Sequence, residues 1–236
     1  MLANNNKMII NKLAKNSVKS NKKQYGILFF TIVLSAFMLF CVFTIGWTYL
    51  DSSRLQNTRL NGAEYDITTM NGFTSKQVKS LQSNKNIQNV GMESYAGFIK
   101  SSEFDNTVEI GLLWCDETFW NNLMSPARTK LDGHYPQNKN ELMVTKDILK
   151  ACGNENLSVG DSIVLTYENN TGVHTDKFVI SGIWDGYGDK SAGFVSKNFY
   201  DETGYDLKND GILCIKLNRN YVLPTTIPVS YTHLTL

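Results

Sequence analysis

The chain has 236 residues, and its 23 lysines and arginines nearly balance 22 aspartates and glutamates. Hydrophobic residues make up 42% and aromatic residues 11%, which is enough to fill a core and excludes a disordered or collagen-like protein. The charge is unevenly distributed, because the first 50 residues contain six lysines and no acidic residue. The remaining 17 basic and 22 acidic residues form an acidic body, which argues against a nucleic-acid-binding protein.

Residues 1–24 form a basic segment in which apolar residues recur at helical spacing, with lysines between them. We expect this segment to be cytoplasmic, and two interpretations of it remain open. In the first interpretation the segment is an amphipathic helix lying under the membrane, and in the second it is a basic tail that only sets the topology. Its apolar residues are Met8, Ile9, Leu13 and Ala14, and its lysines are Lys7, Lys12, Lys15, Lys19, Lys22 and Lys23.

Residues 25–50 carry no charge, and as a helix they would be roughly 39 Å long, enough to cross a membrane core of about 30 Å. Tyr25, Trp47 and Tyr49 stand at the ends of this run, where aromatic side chains meet the membrane surface. A buried core helix would contain polar interruptions, and a cleaved signal peptide would end in a small-x-small site, which TYLDSS lacks. We therefore predict a transmembrane helix, with the lysines inside the cell and the residues after Asp51 outside.

After Asp51 the pattern changes to short apolar runs separated by Asn and Gly turns, which predicts an α+β extracellular domain at 51–222. Helices are predicted at 75–83, capped by Thr74 or Ser75, at 146–152, closed by Gly153, and near 117–124. The runs 162–167 and 177–184 flank the loop ENNTGVHTD and predict an antiparallel hairpin. Further strands are predicted at 64–70, 89–99, 107–115, 141–144 and 212–217.

The sequence contains no recognisable catalytic, cofactor or metal site. The zinc-protease motif, the hydrolase nucleophile elbow and both nucleotide-binding glycine motifs are missing from it, and its three histidines are far apart. Carboxylates beside glycines are interpreted as turn residues, and the glycines near 182–193 as a flexible loop. The residues concerned are His134, His174 and His233; Asp161, Asp185 and Asp189; and Gly182, Gly186, Gly188 and Gly193.

The cysteines leave the redox state open. Cys41 lies in the predicted span, and Cys115, Cys152 and Cys214 are an odd number without CxxC spacing. We favour buried thiols, with one disulfide among the three as the alternative.

An ordered set of short motifs in the outer domain resembles the extracytoplasmic core domain of the MacB/FtsX-like family of ABC transporter permeases. The motifs are GHYP at 133–136, NELMV at 140–144, a helix ending in Gly153, VGD at 159–161 and FVISGI at 178–183. The resemblance covers most of residues 1–222. We interpret its principal residues as supporting the fold: Gly133, Pro136, Glu141, Gly160, Asp161 and Gly182.

The resemblance implies a domain that is not catalytic and a permease that works with a separate cytoplasmic ATPase subunit. It also implies a homodimer or paired permease in the lipid bilayer, which exports a lipid, lipoprotein or antimicrobial peptide, or transmits force. A complete member has at least three further spans, and the uncharged residues 223–236 resemble translated adaptor sequence, so we expect a truncated gene with a non-native tail. A genuine terminal strand is the alternative for that tail.

Two other functions remain open for the chain. It is an anchored sensor or ligand-binding ectodomain with a single span, or a membrane-anchored enzyme. The second is disfavoured, because the sequence offers no nucleophile, metal or acid–base constellation.

Overall fold

The computed structural model describes residues 6–100, 110–187 and 192–218. The chain divides into two compact units, Met1–Arg54 and Leu55–Leu236. The predicted tail at 223–236 and the first residues of the strand predicted at 107–115 lie outside the described residues.

Two helices occupy the N-terminal part of the chain, α1 at Asn6–Ser20 and α2 at Lys22–Asn61. Within the described residues, α2 is the one helix whose length and apolar composition suffice to cross a membrane. The predicted span 25–50 lies within α2, but the helix continues beyond Asp51, where we expected short strands to begin. Neither Gly nor Pro interrupts residues 51–61, so nothing in the backbone ends the helix until Gly62, whose φ is +75°.

The second unit is built on a mixed sheet, whose described strands are β1 Ile67–Thr69, β2 Ile87–Lys100, β3 Ile110–Cys115, β4 Arg128–Gly133, β5 Glu141–Thr145, β6 Ser162–Asn169, β7 Gly172–Gly186, β8 Gly193–Val195 and β9 Ile212–Leu217. Six of them pair in a closed ring, in the order β2, β3, β8, β5, β7, β6 and back to β2. The pairs β3–β8 and β5–β7 are parallel, and the other pairs in the ring are antiparallel. Outside the ring, β9 pairs with β2, β1 pairs with β9, and β4 pairs with β7.

All six ring strands contribute side chains to the main hydrophobic cluster, and this burial is the principal force that holds the ring closed. Leu112, Leu142 and Ile180 are completely buried there. Short helices cover this core, α4 at Lys146–Ala151 and α5 at Lys197–Tyr200. Together with α3 at Ser75–Gln82, they confirm the predicted α+β class.

The capping signals in the sequence correspond to real helix ends. The Thr74 hydroxyl caps α3 by accepting a hydrogen bond from the Gln77 backbone N–H, and the Gln77 side-chain carbonyl accepts one from the Thr74 backbone N–H. Gly153 follows α4 with a φ of +67°, and the next N–H, that of Asn154, donates to the Leu149 carbonyl at 2.8 Å. Both predicted ends are therefore confirmed.

The predicted hairpin is present, but the prediction of a long loop between its strands is wrong. β6 continues to Asn169 and β7 begins at Gly172, which leaves a two-residue turn. Residues assigned to that loop are instead paired strand residues: Thr175 pairs with Thr166 of β6, and their hydroxyls lie 2.9 Å apart. Such cross-strand pairs stabilise the solvent-facing side of the hairpin.

Two other predicted elements take a different form. The helical stretch near 117–124 is a π-helical turn at Phe119–Leu123 followed by a 3-10 turn at Ser125–Ala127. The strand predicted at 64–70 is reduced to β1, because only three residues there find a partner on β9.

Candidate functional site

The motif residues meet around one segment of β7, residues 179–182. Gly133 pairs with Gly182, and Glu141 pairs with Val179. The Gly160 N–H donates to the Ile180 carbonyl at 2.8 Å, and the Ile180 N–H donates to the carbonyl of Asp161 at 2.9 Å. Motifs spread over about 50 residues of sequence are thus brought together on four residues of one strand.

Gly133 and Gly182 allow two backbones to approach more closely than any side chain would permit. Gly133 has a φ of +86°, and a Cβ placed there would lie 2.2 Å from the Ser181 carbonyl oxygen. A Cβ on Gly182 would lie 2.9 Å from the His134 carbonyl oxygen. Because the same Ser181 carbonyl accepts the His134 N–H at 2.9 Å, neither backbone can move away without losing a hydrogen bond.

The two motif carboxylates bind the loops in which they stand. Glu141 accepts hydrogen bonds from the backbone N–H groups of Gln137 and Asn138, at 2.7 and 3.1 Å, and from the Asn138 side chain at 2.7 Å. Partial burial would raise the pKa of Glu141, but these hydrogen bonds outweigh it and the pKa is lowered. Asp161 accepts the Ser158 N–H at 2.8 Å. Both groups act as turn-forming acceptors.

The loop that begins with the GHYP motif is fastened to the sheet by Tyr135, a residue that the sequence pattern alone did not single out. Its hydroxyl accepts the Cys115 N–H at 3.0 Å and lies within donating distance of the carbonyls of Cys115 and Val195, at 3.2 and 3.3 Å. The adjacent Pro136 is buried. Burial raises the pKa of Tyr135 and of the Cys115 thiol well above their usual values, so both stay neutral and Cys115 is not a reactive nucleophile.

Two cation–π pairs formed by arginines were also missed by sequence reasoning. The Arg59 guanidinium lies 3.9 Å from the ring centroid of Tyr187 and donates to its hydroxyl at 3.2 Å. Arg128 lies 3.9 Å from the ring centroid of Trp120. Arg59 and Tyr187 are 128 residues apart, so no local pattern could have linked them. The contact between Arg59 and Tyr187 joins the last turn of α2 to the residue that follows β7.

The predicted anchoring residues lie on the two N-terminal helices. Lys12, Lys15 and Lys19 are exposed on α1. On α2, Trp47 and Tyr49 are 72% and 71% exposed, and the Tyr25 hydroxyl lies 3.3 Å from the Ser17 hydroxyl. Lys22 and Lys23 begin α2. Their role at the membrane stays a prediction.

The described part of the chain contains no group of His, Cys, Asp and Glu side chains able to hold a metal ion. The His134 ring contacts the Tyr135 carbonyl, His174 contacts the Thr171 hydroxyl, and the Asp185 carboxylate accepts the N–H of the next residue. Cys115 and Cys214 are buried in one hydrophobic cluster, and Cys152 is half-buried beside another. Three residues weighed above as candidates, Gly188, Asp189 and His233, lie outside the described residues.

The sequence matches no protein-family model and no curated protein. Among solved structures, the chain is similar to the extracellular domain of the ABC-type transporter YknZ from Gram-positive bacteria, with 11% identity, a TM-score of 0.43, and coverage of 63% of this chain and 75% of that one. It is also similar to the periplasmic region of MacB from Actinobacillus actinomycetemcomitans, with 12% identity, a TM-score of 0.42, and coverage of 66% and 76%. The first of these neighbours is an extracellular domain, and the second is a periplasmic region.

Proposed function

We propose that this chain is part of the permease subunit of an ABC transporter of the MacB/FtsX-like type. In this proposal residues 1–24 are cytoplasmic, residues 25–50 of α2 cross the membrane, and residues 51–222 form an extracellular domain. A separate cytoplasmic ATPase supplies the energy, and the permease couples ATP hydrolysis to export or to force transmission across the membrane. The permease acts as a homodimer or a paired permease.

The observation that carries the proposal is the ordered motif set behind a lysine-headed apolar span. Each motif alone is common in proteins. Their residues nevertheless serve one structural purpose, because Gly133, Gly160 and Gly182 all belong to backbone contacts with the same segment of β7. Such mutual dependence explains why the motifs would occur together and in a set order within one family of domains.

The chemistry of the site favours a mechanical role over catalysis. The carboxylates of Glu141 and Asp161 are occupied by backbone N–H groups, and the Cys115 thiol is buried and neutral. In this proposal the domain moves when the ATPase hydrolyses ATP, and it contributes no reacting group. The substrate class proposed from the family, a lipid, lipoprotein or antimicrobial peptide, rests on the resemblance alone.

The proposal is tested by sequencing the gene and its neighbours beyond the codon for residue 222. We expect at least three further apolar spans in the same reading frame and an adjacent gene for an ATPase. A reading frame that ends near residue 236 with no ATPase gene beside it would refute the permease. A second span followed by a kinase-like region would instead identify a sensor with a ligand-binding ectodomain.

The proposed topology has its own test. Alkaline phosphatase, which is active only outside the cytoplasm, is fused after Leu217 in one version and after Ser20 in another. We expect activity from the first fusion and none from the second. The reverse result would place the domain in the cytoplasm and contradict the proposed orientation.

A further inference from the structure

Helix α1 has an apolar side and a basic side. At about 100° per residue, Ile9, Ile10, Leu13 and Ala14 fall within an arc of about 140°. Lys12, Lys15 and Lys19 fall within an arc of about 60° on the opposite side. Lys7 and Met8, in the first turn, depart from this pattern. From Ile9 onward the helix is therefore amphipathic, with one sign of charge.

The apolar side is not covered by the part of the chain that the structure describes. Ile9, Ile10 and Leu13 are 61%, 61% and 64% exposed. A helix of 15 residues is only marginally stable in water by itself, so this side requires a surface to bind. The surface must also accept the lysines, because no acidic residue occurs in the first 50 positions to neutralise them.

The junction between the helices allows α1 to take a direction different from that of α2. Asn21 is a turn residue between Ser20 and Lys22. The Ser20 hydroxyl donates to the Ser17 carbonyl at 3.2 Å, and side-chain hydrogen bonds of this kind often bend helices. The uncharged run of α2 begins at Tyr25, only four residues after this junction. A bend there would lay α1 directly against the membrane surface.

We propose that α1 lies on the cytoplasmic membrane surface, with Ile9, Ile10 and Leu13 in the acyl boundary and its lysines on anionic phospholipid headgroups. Apolar burial alone would place the helix on any bilayer. The row formed by Lys12, Lys15 and Lys19 adds a preference for anionic lipid, because each lysine near such a surface strengthens binding about fivefold. The inference rests on the proposed orientation of α2 but not on the transporter role, since it applies to any protein that α2 anchors in this orientation.

The experiment uses the full chain in lipid nanodiscs, made of phosphatidylcholine alone or of phosphatidylcholine mixed with phosphatidylglycerol. Hydrogen–deuterium exchange of residues 6–20 reports whether α1 is helical and bound. We expect slow exchange in the anionic discs and faster exchange in the neutral discs. High salt should reduce the difference, because the attraction is screened.

Substitutions separate the two sides of the helix. The triple variant K12Q/K15Q/K19Q should lose about tenfold or more of its protection in anionic discs and little in neutral discs. Glutamine has nearly the helix propensity of lysine, so loss of helicity by itself cannot produce this result. The variant I9S/L13S should lose protection in both kinds of disc.

A matched control changes the net charge equally, at exposed lysines of the sheet domain: Lys79, Lys146 and Lys177 to Gln. This variant should leave the exchange of residues 6–20 unchanged in both kinds of disc. Equal protection of α1 in anionic and neutral discs would overturn the proposal, as would rapid exchange in both. The second result would identify residues 1–24 as a basic tail that only sets topology.

Discussion

Substitution of Gly133 by Ala tests whether the close approach at β7 stabilises the domain. Two costs are expected. The φ of +86° is unfavourable for any residue with a Cβ, by about 1–2 kcal/mol. The new Cβ would also lie 2.2 Å from the Ser181 carbonyl oxygen, and relieving such a contact in a packed region costs about 1–3 kcal/mol. The free energy of unfolding should therefore fall by about 2–5 kcal/mol.

Gly160 provides a matched control, because it has a similar φ, +95°, but a Cβ added to it would meet no atom within 4 Å. Gly160→Ala should therefore show only the conformational cost, about 1–2 kcal/mol. The difference between the two variants isolates the cost of the contact with Ser181. It can be measured by urea unfolding of the full chain in micelles, followed by tryptophan fluorescence.

The result that refutes this reasoning is equal stability of the two alanine variants. It would mean that β4 and β7 can separate at Gly133 without loss, so that the hydrogen bond from His134 to Ser181 contributes nothing. A larger loss for Gly160→Ala would contradict the geometry in the same way.

Three further changes test individual contacts. Tyr135→Phe removes the acceptor of the Cys115 N–H, and thermal unfolding should show a loss of about 1–3 kcal/mol, whereas an unchanged midpoint would contradict the contact. Glu141 has a lowered pKa in the folded state, so its contribution to the free energy of unfolding is present above its usual pKa of 4.5 and is lost as pH falls through the folded value. Glu141→Gln should therefore make the free energy of unfolding depend less on pH below pH 4.5. The same pH dependence in both proteins would contradict this. Urea unfolding should show a smaller loss of stability for Arg59→Lys than for Arg59→Ala, because lysine keeps the charge that faces Tyr187. Equal losses of stability would indicate that the hydrogen bond from the guanidinium to the Tyr187 hydroxyl dominates.

Local signals in the sequence predicted much of the fold. In β6, Ile163, Leu165 and Tyr167 are buried and alternate with more exposed residues, which is the pattern of a strand with one solvated face. The cap Thr74 and the terminator Gly153 fixed helix ends correctly. In each case the residue that carries the signal lies within a few positions of the structure it determines.

The missed elements depend on partners that are distant in sequence. β4 has the sequence RTKLDG and is mostly exposed, because among the described residues it pairs with β7 alone and forms an edge of the sheet. No apolar alternation marks such a strand. β8 has only three residues, all buried, and is too short to show a period. α5 did carry a local signal, since Ser196 caps it by accepting the Phe199 N–H, but the helix has only four residues.

The organisation of β7 explains how the motif residues support the fold. Val179 pairs with β5 on one edge of β7 and with β6 on the other, and Ile183 pairs in the same way with β5 and β4. β6 and β4 therefore lie one after the other along the edge of β7 opposite β5. Residues 179–182 lie between the part of β7 that pairs with β6 and the part that pairs with β4. Backbone groups of the glycine and carboxylate motifs complete the hydrogen bonds of β7 at this point. In the permease proposed above, residues engaged in these backbone contacts are not available to bind a substrate, so we expect substrate preference to be encoded on surfaces away from this junction.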